Sequence, residues 1–260
     1  DDYHLWDRHK PMWQVMTHLN PMANDLEGFS RDLASLADGK SIQARHYNHS
    51  TGKMSKLVKI ESNDFIIASG LHALYLPQLR DCYNLKIYLD IDEDLRRKFK
   101  IERDVGVRGY PLERVIASLE AREADSEKFI RSQKRYSDLV LSIQPLWVKR
   151  SNDSVIEVSK QLKLVATTTN GLSELTLSRV LVGLCGLHVD ITTSHDGSEV
   201  SMTIEGEASG EDIAMAAEII CPEIFEFIDI SPEWSSGALG VMQLIALSHI
   251  NQVLTKRFMK

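Results

Sequence analysis

The sequence predicts an α/β fold, and two features of its pattern support this. As far as residue 143, short apolar runs typical of buried strands alternate with helical patterns. Beyond residue 148 the pattern changes to an extended segment, a hairpin, a short helix and a long amphipathic helix. We therefore predict a parallel-sheet domain over residues 1–147 and a smaller α+β region over residues 148–260.

The elements of the first region follow one another in a regular order. Residues 1–24 predict a loop with one short helical turn, and Leu26, Phe29, Leu33 and Leu36, spaced 3, 4 and 3 apart, predict a helix over Asp25–Ala37. Strands are predicted for Ile42–His49 (short and extended), Asp64–Ser69 (apolar on both faces and therefore buried and parallel), Leu85–Ile91 and Leu139–Ile143. Helices are predicted for Ala73–Arg80 (helix or turn), Asp94–Val105, Pro111–Ala121 and Asp125–Arg135.

Fewer helices and strands are predicted for the second region, residues 148–260. Val155–Val165 is expected to be extended, and Gly186–Thr193 with Glu199–Glu205 predicts a hairpin around the turn sequence His195-Asp196-Gly197-Ser198. The remaining elements are a helix over Ser209–Ile219, a strand over Ile224–Ile230 and a final helix over Gly240–Phe258.

Composition and charge exclude several classes of protein. Of the 260 residues, 43% are hydrophobic and 26% charged, which excludes a disordered chain. The formal net charge of −7 does not provide the positive field of a nucleic-acid binder. We find no apolar run of bilayer-spanning length and no signal peptide in the first twenty residues. We therefore expect a cytoplasmic protein with neither a nucleic-acid nor a membrane partner.

Two charged stretches are candidates for chemistry. In Arg96–Gly109, Lys100, Arg103 and Asp104 share one helix face, a pattern that suits a phosphate-bearing partner. Charge pattern alone favours the alternative, a solvated helix face with ion pairs. In Asp1–Arg8, carboxylates beside a His and an Arg could act as a base or hold a metal, although a frayed polar terminus would have the same composition.

Two polar loops are further candidates. Tyr47–Gly52 could hydrogen-bond hydroxyl groups or form an ordinary turn. Ser69-Gly70-Leu71-His72 follows the predicted buried strand, and ligands in open parallel sheets bind beyond the carboxyl ends of strands. A single His at such a place is more often structural than catalytic.

Together these stretches resemble the phosphoribulokinase and uridine kinase family, and phosphoribulokinases most closely. The motifs keep the family's order over residues 1–145: Asp1–Arg8, Asn20–Asp25, Tyr47–Gly52, Gly70–Tyr75, Tyr88–Ile91 and Lys100–Gly109. The resemblance implies a P-loop kinase fold, ATP and Mg²⁺ as cofactors, and transfer of the γ-phosphoryl group to a hydroxyl of a sugar phosphate similar to ribulose 5-phosphate.

The resemblance also implies roles for individual residues. The catalytic residues would be Asp1 or its neighbour Asp2, as the base that accepts the hydroxyl proton, and Lys100 and Arg103, which act on the developing charge. Asp104 would be the further catalytic residue, acting through magnesium or by orienting the arginines. The substrate-binding residues would be His4, Arg8, Tyr47, His49, His72 and Arg108. Asp104 and Ser69 would lie at the metal, and no residue is assigned to the nucleotide.

Two features depart from the family pattern. The family's phosphate-binding loop, Gly-x-x-x-x-Gly-Lys-Ser/Thr, lies upstream of the Asp-Asp motif, and the 260 residues do not contain it. The resemblance implies that about 35 to 40 residues of the domain are either missing or outside this sequence. Ser69 stands where the family has Glu, so metal affinity, rate or specificity is expected to differ.

Two classes of function therefore remain open. The first is a kinase of the phosphoribulokinase type, with a nucleoside or another small alcohol as the alternative acceptor. The second is a kinase-like module for binding or assembly without catalysis, which the absent loop and Ser69 favour. The family resemblance also suggests a homodimer, with its interface in residues 148–260.

Overall fold

The computed structural model describes residues 1–148, 157–169, 174–225, 228, 230 and 232–258. In chain order the helices are α1 (Leu26–Ala37), α2 (Pro77–Cys82), α3 (Glu93–Ile101), α4 (Leu112–Asp125), α5 (Glu174–Gly183), α6 (Gly210–Ile220), α7 (Pro222–Phe225) and α8 (Gly237–Phe258). The strands are β1 (Ile42–Ala44), β2 (Tyr47–Asn48), β3 (Lys53–Met54), β4 (Val58–Ile60), β5 (Ile87–Ile91), β6 (Leu139–Val148), β7 (Glu157–Thr168), β8 (His188–Thr193) and β9 (Val200–Glu205). Short 3₁₀ segments cover Pro11–Gln14, Pro21–Ala23 and Arg131–Tyr136, and π-helical segments cover Glu102–Val107 and Ser126–Ile130.

The chain forms two compact units. The first unit consists of Asp1–Lys86 and Asp104–Tyr136, and the second of Ile87–Arg103 and Ser137–Lys260. The boundaries of these units differ from the predicted boundary at residue 148. The division into domains at that residue stays a prediction.

The first unit contains two small antiparallel ladders, and α1 packs against β1 of one of them. The ladder of β1 and β4 places Ile42 opposite Ile60, and β2 pairs with β3. The helix begins after Asp25, whose carboxylate accepts a hydrogen bond from the Gly28 amide at 2.8 Å, as an N-cap residue does. Leu26 and Leu33 are buried on its inner face, so the 3, 4, 3 spacing predicted this helix correctly.

The prediction of a buried parallel strand over Asp64–Ser69 is wrong. This segment is irregular, and Phe65 and Ile67 are 57% and 90% exposed. A strand that is apolar on both faces needs a neighbouring strand and cover on each face. None of the strands in the described part of the chain pairs with this segment.

The second unit is built on a five-stranded sheet with the order β5-β6-β7-β9-β8. Strands β5 and β6 are parallel, with Ile87 opposite Leu139, and the other neighbours are antiparallel. One apolar core joins side chains of the sheet with those of α5, α6 and α8, among them Leu164, Leu181 and Leu244. The predicted α/β class is confirmed, as a mixed sheet covered by helices.

The remaining predictions differ in their outcome. The hairpin around Gly197 is confirmed, and this glycine has the positive φ of 71° that its turn requires. The strand over Ile224–Ile230 is wrong where the structure describes it, because Pro222 starts the helix α7; residues 226, 227 and 229 lie outside the described residues. The helix α5 was not predicted, and residues 155 and 156 of the predicted extended segment are also outside the description.

By length and composition alone, α8 could cross a membrane over Gly237–Thr255. A buried core helix passes the same test. In this unit Val241, Leu244 and Ile245 of α8 lie in the apolar core, at most 2% exposed. The absence of a membrane partner stays a prediction.

Candidate active site

The N-terminal stretch Asp1–Arg8 is fastened to the β2–β3 hairpin by its carboxylates. Asp2 accepts a hydrogen bond from the Tyr47 amide through Oδ1 at 2.7 Å, and its Oδ2 lies 3.3 Å from His46 Nδ1. Asp7 accepts a hydrogen bond from the Met54 amide at 3.1 Å. These contacts between residues far apart in sequence make the stretch an ordered part of the first unit, so it is not a frayed terminus.

Arg8 adds a second set of contacts to the same hairpin. Its amide donates to the Gly52 carbonyl at 2.8 Å, and its guanidinium donates to the His49 carbonyl and lies 5.9 Å from the centre of the Tyr47 ring. Gly52 has φ of +69°, and a Cβ atom there would lie 2.6 Å from Arg8 Cβ. A glycine is therefore required at this position both for its backbone conformation and for the close approach of Arg8.

Asp1 makes different contacts from its neighbour Asp2. Its Oδ2 lies 3.2 Å from His49 Nε2 and its Oδ1 lies 3.5 Å from His4 Nε2. Asp2 is held by backbone and side chain of the hairpin: partial burial acts to raise its pKa, but the hydrogen bonds from Tyr47 and His46 lower the pKa overall. Asp1 thus faces two imidazoles, whereas both carboxylate oxygens of Asp2 contact residues of the hairpin.

His4 lies at the centre of an aromatic cluster. Its ring centre is 5.4 Å from that of Trp13, 5.6 Å from that of Tyr47 and 5.9 Å from that of His18. The Trp13 indole nitrogen donates to the Asp7 carbonyl at 2.9 Å, which fixes the cluster to the N-terminal stretch. Burial lowers the pKa of His4 to about 4, so this imidazole is neutral near pH 7.

A cavity of about 450 Å³ opens beside this cluster, in the first unit. Its size is within the range of small-molecule sites. The polar lining residues are Asp1, Asp2, His4, His18, Asn24, Ser69 and His72, and the apolar ones include Leu33, Leu36, Ile42 and Ile60. The structure thus brings six predicted site residues of Asp1–Arg8 and Tyr47–His49 together, and Ser69 and His72 line the same cavity as Asp1, Asp2 and His4.

His72 is held in the cavity wall by Gln133. The Gln133 side chain accepts a hydrogen bond from the Leu74 amide at 3.0 Å and donates to the Leu71 carbonyl at 2.8 Å, so it holds the backbone on both sides of His72. His72 itself is 7% exposed, and burial lowers its pKa. Ser69, expected at the end of a buried strand, is instead exposed in an irregular segment.

Asp104 and Arg108 form an ion pair in the first unit. Asp104 is 5% exposed, and its Oδ1 accepts a hydrogen bond from the Arg108 guanidinium at 3.1 Å. Burial lowers the pKa of Arg122, and the charge of Asp104 acts in the opposite direction. Lys100, in α3, and Arg103, in the π-helical segment, belong to the second unit.

The described residues do not by themselves assemble a magnesium site. Within the described ranges there is no group of three or more metal-ligating His, Cys, Asp or Glu side chains. One Asp104 oxygen is bound to Arg108, and Ser69 brings no charge. Mg²⁺ in kinases is bound by one or two carboxylates with substrate phosphates, so the roles of Asp104 and Ser69 at a metal stay predictions.

Sequence reasoning did not identify Trp13 and His18 as parts of the site. Trp13 contacts His4 and Asp7, and the carbonyl of His18 lies 3.4 Å from His72 Nε2. The His18 position, two residues before the Asn-Pro motif, was the available signal. It could not be used because nothing in the local pattern brings residue 18 to residue 72.

Comparison with known proteins shows which family this sequence resembles. The sequence profile of the phosphoribulokinase / uridine kinase family matches residues 1–147. The phosphoribulokinase of Synechocystis sp. is 37% identical over 145 residues, which are 56% of this chain and 44% of that protein. The chloroplastic phosphoribulokinase of Arabidopsis thaliana is 37% identical over 145 residues, 56% of this chain and 37% of the relative. The uridine kinase of Macrococcus caseolyticus is 36% identical over 124 residues, 47% of this chain and 60% of the relative.

A solved structure agrees with the fold. The phosphoribulokinase from Rhodobacter spheroides matches with a TM-score of 0.61 at 19% identity, covering 87% of this chain and 84% of that one. At this identity the likeness concerns the fold alone, which is the α/β fold of P-loop kinases, as predicted. The matched stretch of sequence spans less than half of the length of the two phosphoribulokinases named above.

Proposed function

The chain belongs to the phosphoribulokinase / uridine kinase family, and on that premise we propose that it acts as an ATP-dependent phosphotransferase on a sugar phosphate similar to ribulose 5-phosphate. The observation that carries the proposal is the position of Asp1 at a cavity lined by the neutral imidazole of His4 and by carboxylates. Such a lining suits the hydroxyl groups of a sugar.

In the proposed mechanism Asp1 is the base. The acceptor hydroxyl donates its hydrogen bond to the Asp1 carboxylate and passes its proton there as its oxygen bonds to the γ-phosphorus of ATP, while the bond from that phosphorus to the β–γ bridging oxygen breaks and ADP leaves. Contacts from His49 and His4 at 3.2 and 3.5 Å hold this carboxylate in place. Because phosphoryl transfer depends mostly on alignment and charge stabilisation, the main effect of Asp1 is to orient the hydroxyl.

Asp2 and Arg8 have supporting roles in this mechanism. Asp2 positions the hairpin that presents Tyr47 and His49, because both of its oxygens contact that hairpin. Arg8 is exposed beside the hairpin and supplies a guanidinium for the acceptor's phosphate group. The family resemblance supports roles for Lys100, Arg103, Asp104 and Arg108 on the transferred phosphoryl group and its Mg²⁺, and these roles stay predictions.

A non-catalytic binding or assembly module is the second candidate. The observation in its favour is Ser69, which lines the cavity but brings no charge. The similarity to a uridine kinase keeps a nucleoside or another small alcohol as alternative acceptors. A homodimer is also consistent with the resemblance and stays a prediction.

The test combines binding and turnover. We would titrate the 260-residue chain with ribulose 5-phosphate, with uridine and with ATP-Mg²⁺ in a calorimeter, and assay phosphoryl transfer with the protein as its gene encodes it. Binding of the sugar phosphate together with ATP-dependent transfer supports the proposal. Binding of none of the three ligands, together with no transfer to any pentose phosphate, nucleoside or alcohol, would overturn the proposal in favour of the assembly module.

A further inference from the structure

We propose that Asp125 and Gln133 are positioning residues for the acceptor, because each holds one of two loops that meet at the cavity wall. The first wall loop is Thr17–Leu19 and the second wall loop is Gly70–Tyr75. Both loops contribute to the cavity lining, but Asp125 and Gln133 do not. The two residues therefore act on a ligand only through the loops, and the inference rests on the proposed function.

The two wall loops touch each other through one long contact. His72 Nε2 lies 3.4 Å from the carbonyl oxygen of His18. This distance is beyond the usual range of a hydrogen bond to a carbonyl, so the contact alone does not fix the separation of the loops. Because both loops line the cavity, a shift of one relative to the other changes the shape of the acceptor site.

Asp125 holds the first wall loop. Its Oδ2 accepts a hydrogen bond from the Thr17 hydroxyl at 2.7 Å, and the same hydroxyl oxygen accepts one from the Leu19 amide at 3.1 Å. A threonine hydroxyl has a single hydrogen, so Thr17 directs it to Asp125 while its lone pair holds the backbone of the loop. Hydrogen bonds to a carboxylate are stronger than those between neutral groups. His18 lies between the two held residues, and its position follows from theirs.

Gln133 holds the second wall loop. Its side chain is buried, with the residue 3% exposed. Its Oε1 accepts from the Leu74 amide at 3.0 Å, and its Nε2 donates to the carbonyls of Leu71 at 2.8 Å and Phe129 at 2.6 Å. Both hydrogens of the amide are used, one toward the loop and one toward the helical segment that precedes Gln133. Without this side chain a backbone donor and a backbone acceptor of the loop lose their partner.

Asp125 and Gln133 belong to one continuous helical run. Asp125 is the last residue of α4, Gln133 lies in the 3₁₀ segment that follows, and a π-helical segment joins them. The Arg131 guanidinium spans this junction, with contacts of 2.7 Å to Glu123 and 2.6 Å to Glu127. Short π-helical segments within helices occur frequently at functional sites. The separation of the two wall loops is thus set by the helical run to which both are attached.

Gln133→Glu tests the second attachment through its pH dependence. The carboxylate still accepts from the Leu74 amide, but its other oxygen repels the carbonyl oxygens of Leu71 and Phe129. When protonated, the carboxyl group donates to one of these carbonyls, and burial beside them raises its pKa. We expect the acceptor KM of Q133E, divided by that of the parent protein, to be about 10 at pH 8 and to fall towards 1 at pH 6.

The ratio to the parent protein removes other titrations from this comparison. His72 and the acceptor's phosphate group titrate in both proteins, so their contribution cancels. Gln78→Glu, at an exposed position of α2, is the matched control and should give a ratio close to 1 at both pH values. A structural role alone would lower stability without a pH-dependent acceptor KM.

Two substitutions of Asp125 test the first attachment. Asp125→Asn keeps an oxygen that can accept from the Thr17 hydroxyl, whereas Asp125→Ala removes it. We expect D125N to stay close to the parent protein and D125A to raise the acceptor KM by about tenfold, with the KM for ATP unchanged. Glu120→Ala removes a carboxylate from an exposed position of the same helix and should change neither KM.

The double variant D125A/Q133A tests whether the two residues act on the same feature. Since both set the separation of the wall loops, its acceptor KM should rise by less than the product of the two single effects. The inference is overturned if the acceptor KM stays unchanged in D125A and Q133E, if the KM for ATP rises equally, or if the Q133E ratio does not depend on pH. Circular dichroism verifies that each variant is folded, and the D125N and D125A pair decides if Q133E is not.

These outcomes differ from failure of the proposed function. The protein is used as its gene encodes it, and calorimetric binding of ribulose 5-phosphate is measured beside turnover. If the parent protein binds the sugar phosphate but transfers no phosphoryl group, the kinase proposal fails while the dissociation constants of the variants still decide on Asp125 and Gln133. If the parent protein binds no sugar phosphate, both the function and the inference are overturned.

Discussion

Asp1 and Asp2 are adjacent and chemically identical, and only their surroundings distinguish them. The sequence motif left the choice of base open between the two. The structure gives Asp2 two contacts to the hairpin and gives Asp1 two imidazole neighbours at the cavity. Three of these four contacts join residues more than 40 positions apart, and no local sequence pattern encodes them.

The first prediction separates these two carboxylates. Asp1→Asn should lower kcat by about 10²–10⁴-fold with little change in stability, because it removes a proton acceptor. Asp2→Ala should lower the free energy of unfolding by about 1–3 kcal/mol and raise the acceptor KM, because the Tyr47 amide loses its partner. Steady-state kinetics and urea denaturation measure both effects.

Asp81→Asn, at an exposed position of α2, is the control and should change neither kcat and KM nor the free energy of unfolding. The assignment would be reversed if the Asp2 variant lost kcat while the Asp1 variant lost stability.

The second prediction concerns the pH dependence of stability at His4. Its pKa is about 4 in the folded protein and 6.5 as the reference value, so the unfolded chain binds more protons between these pH values. The contribution of His4 to the free energy of unfolding is therefore fully present above about pH 6.5 and is lost as the pH falls towards 4. Between pH 7 and pH 5 we expect a loss of about 1–2 kcal/mol, most of which His4→Gln should remove.

The measurement is urea denaturation of both proteins at pH 7 and pH 5. The lowered pKa of Asp2 acts below its reference value of 3.8, outside this window, and His72, whose pKa is also lowered, accounts for a remaining slope. An unchanged slope in H4Q would contradict the prediction.

Among the elements, those whose partners are close in sequence were predicted best. The helix α1 follows from an apolar spacing and an N-cap, and the β8–β9 hairpin follows from a turn sequence. Asp64–Ser69 was misassigned because a buried strand depends on neighbours that the local sequence does not specify. The π-helical segments after α3 and α4 continue those helices with a different hydrogen-bond pattern, which no residue spacing indicated.

The third prediction tests the β2–β3 hairpin as an element of the site. Gly52→Ala introduces a Cβ atom 2.6 Å from Arg8 Cβ at a residue with φ of +69°. We expect it to lower the free energy of unfolding by about 2–4 kcal/mol and to weaken sugar-phosphate binding, as measured by thermal denaturation and calorimetry.

Gly39→Ala is the matched control for the backbone effect. Gly39 has φ of +78°, but no atom lies within 4 Å of a Cβ built there. This variant should show only the cost of the left-handed conformation, about 1 kcal/mol, and unchanged binding. Equal effects of the two variants would show that the approach of Arg8 to Gly52 does not matter.

For the whole molecule, the sequence predicted the α/β class and the family but not the strand order. Strand β9 lies between β7 and β8 in the sheet, so β7 pairs with β9 and not with the next strand along the chain. The helix α5 was missed because its apolar residues serve a core shared with β7, α6 and α8, which is visible only in three dimensions. The cytoplasmic location and the absence of a nucleic-acid partner stay predictions.

The fourth prediction concerns the core of the second unit. Leu244 of α8 is fully buried there, and Leu244→Ala should lower the free energy of unfolding by about 2–5 kcal/mol because it leaves a cavity. Leu239→Ala, at a position of the same helix that is 56% exposed, should cost less than about 0.5 kcal/mol. Denaturant titration compares them, and similar losses would contradict the assignment of α8 as a core helix.

The pairing of β6 with β7 has a practical consequence for anyone who wishes to shorten this protein. The family profile ends at residue 147, which invites a truncation there. Strand β6 would then lose its antiparallel partner along nearly its whole length, from Leu139 to Val148. The exposed edge strand would present unpaired amides beside Leu139 and Leu141, which are buried in the intact protein. Exposed edges of this kind pair with other chains and lead to aggregation. The limit of the recognisable motifs is thus not a place where the polypeptide can be cut.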